Sequence, residues 1–104
     1  GRLYNNGETC VSAKRLIVTD KVYDAFVSAF VDQMEAIKMG DPSQDNTQLG
    51  PLASKEQLDT VKQQVVQSVE NGAEILCGGT LPECTGYFYP PTVLANCKPG
   101  MPAY

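Results

Sequence analysis

The run Asn5-Asn6-Gly7-Glu8-Thr9-Cys10 sets a thiol three residues after a glycine and shortly before the apolar run Leu16-Ile17-Val18. Two readings of Cys10 stand side by side. It is either a packed residue that ends a loop or a nucleophile at the mouth of an active site, since a thiolate is strongly nucleophilic even at modest populations near neutral pH. Glu8 invites a role as general base for that thiol. Side chains two apart in a loop point away from one another in most geometries, so a surface or loop-bonding role is expected instead. With no histidine in the chain, a cysteine hydrolase would have to import the imidazole that activates its thiol.

The other cysteines, Cys77, Cys84 and Cys97, are expected to be packing or loop residues. No two of the four make a CxxC pair, and no histidine completes a ligand set, so metal binding is not expected. Gln57 follows Ser54 at the spacing of a capping box, in which a hydroxyl and an amide each satisfy a free backbone N–H at a helix start.

The elements that must position these residues follow from hydropathy. Residues 14–18 read as a short strand, a β-branched and aliphatic run between polar flanks. A helix follows, capped by Thr19 or Asp20, with Tyr23, Phe26, Val27, Phe30, Met34 and Ile37 forming one apolar stripe. Gly40-Asp41-Pro42 is expected to end it. A second helix runs from Ser54 to about Asn71 with Leu58, Val61, Val65 and Val69 inside. Residues 73–77 read as a second strand, and Tyr87, Tyr89, Thr92 and Leu94 alternate around Pro90-Pro91 as an extended edge. The order implies an α/β fold with helices packed on a sheet.

At 104 residues the chain is one small domain or a piece of a larger one, and two domains do not fit. Its 42% hydrophobic and 19% charged residues suit a packed core. The net charge is −4 with scattered Lys and Arg, so there is no nucleic-acid footprint. No apolar run approaches the roughly 20 residues of a membrane-spanning helix. The chain opens without an initiator Met and closes on MPAY without a helix cap, and a fragment is the expectation. Reduced thiols in the cytoplasm are the default.

N-x-G-x-x-C from Asn5 to Cys10, followed by Lys14-Arg15 and Leu16-Ile17-Val18, resembles the catalytic-cysteine segment of the aldehyde dehydrogenase superfamily. The resemblance continues through Met39-Gly40-Asp41-Pro42, Gly50-Pro51-Leu52, Leu76-Cys77-Gly78-Gly79 and Gly86-Tyr87-Phe88-Tyr89-Pro90-Pro91-Thr92-Val93-Leu94. It implies that residues 1–104 are part of a single cysteine-bearing catalytic domain, with helices on a mostly parallel sheet and the nucleotide-binding domain not present. It further implies Cys10 as nucleophile, NAD or NADP as cofactor, a small-molecule aldehyde as substrate and a homo-oligomeric parent. The family's Gln at the place of Gln57 can reach the nucleotide ribose, so capping and cofactor binding both stay open there. The stretches NNGETCVSAKRLIV and YPPTVLAN look most like the bacterial succinate-semialdehyde dehydrogenase branch. Some of these enzymes carry an Arg for the substrate carboxylate six residues before the nucleophile. Tyr4 holds that place here and is the candidate substrate-pocket residue, with a broad-range aldehyde as the alternative substrate. Without the other half of the site, the isolated chain is expected to be inactive.

Overall fold

In the computed structural model, residues 2–83 and 85–104 are described, the side chain of Tyr4 excepted. The expected packing role of Cys84 and the expected pocket placement of the Tyr4 side chain lie outside the described residues.

Helix α1 spans Tyr23–Glu35 and α2 spans Lys55–Glu70; strand β1, Glu74–Cys77, pairs with β2, Val93–Ala95. Ser54 starts α2 as its sequence requires. From an extended backbone its Oγ accepts the Gln57 N–H at 3.2 Å, while Gln57 Oε1 accepts the Ala53 N–H at 3.3 Å. The Gln57 N–H, one of the donors the first helical turn would leave free, is thereby satisfied, while the Gln57 amide reaches Ala53, one residue before the cap, rather than the cap's own N–H. Further along, Val65 is buried and Ser68 is fully enclosed. The Ser68 hydroxyl donates to Gln64 O at 2.8 Å and accepts the Ala103 N–H at 3.0 Å, pinning the last residues to the helix.

β1 and β2 pair antiparallel, with Glu74 opposite Ala95, Ile75 opposite Leu94 and Cys77 opposite Val93, and a bulge between Ile75 and Cys77. The connection turns sharply at Gly78 (φ 74°), where an added Cβ would overlap Pro91 O and the Thr92 side chain and stand 2.8 Å from Thr92 Cα. α1 lies against β1. Met34, Leu49, Val65, Ala73, Cys77, Tyr89 and Met101 are the buried apolar side chains among the described residues.

Four expectations are corrected. The sheet was expected to be mostly parallel, but the ladder among the described residues is antiparallel, and parallel pairing is limited to one bridge, Met39 to Leu49. The loop at 78–92 folds straight back, and a parallel neighbour needs a crossover to a further strand. Residues 14–18, read as a strand, run without a ladder, leaving Leu16 47% and Ile17 101% exposed. The first helix stops at Glu35, short of Gly40. Beyond it, Lys38 O accepts the N–H groups of Gln48 (2.8 Å) and Leu49 (3.1 Å), and Gly40 N–H reaches Leu49 O (3.0 Å), which pulls the chain out of the helical path. At the other end, neither Thr19 nor Asp20 caps with its side chain; a 3-10 turn at Asp20–Val22 leads in, with the Val22 N–H on Thr19 O at 3.2 Å.

Candidate active site

Asn-Asn-Gly is a sequence suited to left-handed backbone, and here it is used three times over: φ is 52° at Asn5, 59° at Asn6 and 75° at Gly7. Asn tolerates this region better than other side-chain-bearing residues. The tight turn is closed by the Glu8 N–H on Asn5 O at 3.1 Å and by Arg2 Nη1 on Gly7 O at 3.0 Å. A second turn follows at once, with the Ser12 N–H on Thr9 O at 2.9 Å. Cys10 rides on that second turn with an exposed thiol. Ser12, two residues on, is buried, and its hydroxyl has no hydrogen-bond partner among the described residues.

The cysteine loop faces the segment that leads into α2. Asn6 Oδ1 accepts the Gly50 N–H at 2.9 Å, and Asn6 Nδ2 donates to Pro51 O at 3.5 Å. That segment is itself anchored, by the Gly40 contact with Leu49 and by the Leu52 N–H on Tyr87 O at 2.8 Å. Between loop and helix runs an open cleft of about 490 Å³, with Glu8 on one wall and Leu52, Ser54, Glu56, Gln57, Thr60 and Val61 on the other. Its donors and acceptors are two carboxylates, from Glu8 and Glu56, a carboxamide and two hydroxyls.

Each sequence candidate among the described side chains therefore has a definite place. Cys10 stands on the loop just past the cleft wall formed by Glu8. Gln57 caps α2 and also lines the cleft. Glu8 faces the cleft rather than open solvent alone. Cys77 is buried, its thiol directed at Pro91 O at 4.0 Å, and burial pushes the thiol pKa up from 9.0. Cys97 is half-buried with Sγ 3.8 Å from Leu94 O, and Cys10, Cys77 and Cys97 are all free. Lys14 and Arg15 are exposed residues at the start of the unladdered run, the Arg15 guanidinium lying 4.9 Å from the centre of the Tyr104 ring. Sequence reasoning missed Asn6 and Arg2. The Asn-Asn-Gly signature was the available clue, because residues chosen for left-handed backbone also carry amides free to bond elsewhere.

Comparison with known proteins gives this arrangement its context. The chain is 45% identical over 104 residues to "Succinate-semialdehyde dehydrogenase [NADP(+)] 1" of Mycobacterium ulcerans, covering 100% of the chain and 23% of that relative. Among solved structures it is similar to lactaldehyde dehydrogenase from Escherichia coli, with a TM-score of 0.91 and 36% identity over 98% of this chain and 22% of that one. It is also similar to succinate-semialdehyde dehydrogenase from Burkholderia pseudomallei, with a TM-score of 0.88 and 32% identity over 95% of this chain and 20% of that one. The chain thus spans less than a quarter of the length of the curated relative it matches. The family model described as "Aldehyde dehydrogenase family" matches residues 1–104 throughout, and the chain belongs to that family.

Proposed function

We propose that the natural protein carrying this chain oxidises an aldehyde to a carboxylic acid, with Cys10 as nucleophile, succinate semialdehyde as substrate and NADP as cofactor. The observation that carries the reading is the exposure of Cys10 on a turn two residues after Glu8, which walls a polar cleft. The relative's printed name supports the substrate and the cofactor.

A bare aldehyde carbon has no electron-rich centre able to expel hydride. The Cys10 thiolate adds to the carbonyl carbon, and the C=O pair moves onto oxygen, to which the Cys10 backbone N–H would donate. The nucleotide supplies a hydride acceptor. Collapse of the oxyanion re-forms C=O, expels the hydride and leaves a thioester on Cys10. Water then attacks the thioester, the C–S bond breaks, and the acid departs with the thiolate restored. Gln57's carboxamide and the hydroxyls of Ser54 and Thr60 suit a ribose, whose own hydroxyls both donate and accept. On this reading Gln57 both caps α2 and holds the nucleotide.

The 104 residues are proposed to be part of one cysteine-bearing domain that packs against further chain, in a homo-oligomeric, cytoplasmic enzyme. Their accessible surface is 7387 Å², against about 5,700 Å² for a self-contained domain of this mass. Free thiols at Cys10, Cys77 and Cys97 support a reducing compartment. No helix among the described residues is long and apolar enough to cross a membrane. The isolated chain, with few groups to hold a nucleotide, is proposed to be inactive. A second reading, a neutral or broad-range aldehyde, is favoured by Tyr4, which supplies no cation where a carboxylate ligand would stand.

The test follows reduced-nucleotide formation by the full-length natural protein with NAD and NADP, over succinate semialdehyde and neutral aldehydes, beside Cys10→Ser. Turnover led by succinate semialdehyde with NADP and lost in the variant is expected. A variant as active as its parent ends the proposal, and neutral aldehydes ranking first would move the substrate to the second reading.

A further inference from the structure

Resting on the reading of Cys10 as nucleophile, we propose that Asn6 is a positioning residue whose carboxamide fixes the width of the cleft between the cysteine loop and the start of α2. Both ends of the amide are used. Oδ1 takes the Gly50 N–H at 2.9 Å and Nδ2 gives to Pro51 O at 3.5 Å, across 44 and 45 residues of sequence. A carboxamide offers acceptor and donor on two separate atoms, so it can hold two neighbouring backbone groups at once.

Backbone and partner are both shaped for the contact. Asn6 sits at φ 59°, ψ 17° between two other left-handed residues, which turns its side chain away from the path of the loop and toward residues 50 and 51. At Gly50 an added Cβ would crowd Pro42 Cγ at 3.1 Å and meet Asn6 Nδ2 in ordinary contact at 3.6 Å, so the bare position lets residues 42 and 50 approach closely beside the amide. The receiving segment cannot drift, because Leu49 is bonded to Gly40 and Leu52 to Tyr87. Ser54 and Gln57 then follow from that fixed point into α2. On the opposite side, Glu8 comes two residues after Asn6 and lines the cleft, and Cys10 comes four after it. Asn6 therefore transfers the position of the α2 entrance to the loop that carries the thiol. It touches no reacting atom in this scheme; it sets the distance between a nucleotide in the cleft and a substrate on Cys10.

Three variants of the full-length natural protein separate the amide from the backbone. Asn6→Gly removes the amide and relaxes the left-handed residue, Asn6→Ala removes the amide and strains it, and Asn6→Asp keeps the acceptor for Gly50 N–H while losing the donor. The readouts are steady-state KM for nucleotide and for aldehyde, kcat, and amide hydrogen exchange in peptides covering Gly50. In the Gly and Ala variants alike, nucleotide KM is expected to rise about tenfold, more than aldehyde KM, with faster exchange at Gly50; Asp should recover part of both. An Asn6→Gly variant with parental KM and parental exchange would overturn the proposal, because Asn6 would then serve only its own backbone. A parent that turns over no aldehyde removes the dehydrogenase reading instead, and exchange at Gly50 still decides whether the amide holds the loop.

Discussion

Val65, Ala73, Cys77, Tyr89 and Met101 are buried, whereas between Arg2 and Val22 the buried side chain among the described residues is Ser12. The later region is held by removing apolar surface from water, at roughly 1.5–3 kcal/mol for each large side chain fully enclosed. The earlier one is held by directed bonds: Arg2 to Gly7, Asn6 to Gly50 and Pro51, and two successive turns. Burial is forgiving of direction and gives stability. Directed bonds add little net stability but fix where an exposed thiol stands. The difference teaches that damage in the two regions should have different symptoms, with activity lost from one and stability from the other.

The widest separation comes from setting Cys10→Ser beside Gly78→Ala. The first should remove turnover and leave the urea midpoint of the full-length protein unmoved. The second should leave the thiol in place and destabilise by about 2–4 kcal/mol, combining left-handed strain with overlap on Pro91 and Thr92. A Gly78→Ala protein with the parental midpoint would break the comparison. A smaller loss, about 1 kcal/mol, is expected for Ser54→Ala, which strips the α2 cap. Gln57→Glu sharpens the point, because it keeps an acceptor for the Ala53 N–H but no longer offers an amide donor. Stability should hold while nucleotide KM rises, and an unchanged KM would leave Gln57 as a cap and nothing more.

The smallest effect is alkaline. Burial raises the pKa of Cys77 from 9.0 and of Tyr89 from 10.0. The unfolded chain therefore releases these protons first, so stability is full below the ordinary thiol range and falls as pH climbs through the raised values. Comparing urea midpoints at about pH 8 and pH 10 should show a smaller drop once Cys77→Ala and Tyr89→Phe remove the two groups. An equal drop in the double variant would place the alkaline weakness elsewhere.

What could be read from the sequence was what depends on near neighbours. Ser54 and Gln57 announced the start of α2, because a cap is made by residues three apart. The second strand, expected over 73–77, is Glu74–Cys77. The early end of α1 was hidden because its cause, the hold of Lys38 and Gly40 on residues 48 and 49, is a bond between separate stretches. A strand is likewise a partnership. Residues 14–18 carry the composition of one, but composition cannot supply the second chain of the ladder. At the site, the role proposed for Cys10 comes from its motif, while the contact of Asn6 was not legible there, since Gly50 lies 44 positions away.

The bare run at 14–18 also poses a problem of solubility. Extended backbone with Ile17 wholly exposed is a template on which another copy could grow, the first step of a precipitate. Lys14 and Arg15 at its start and Asp20 and Lys21 just beyond it are all exposed. Copies stacked in register along this run would bring like charges together at both ends. These four side chains have no part in the proposed chemistry, and their mutual repulsion would oppose such stacking.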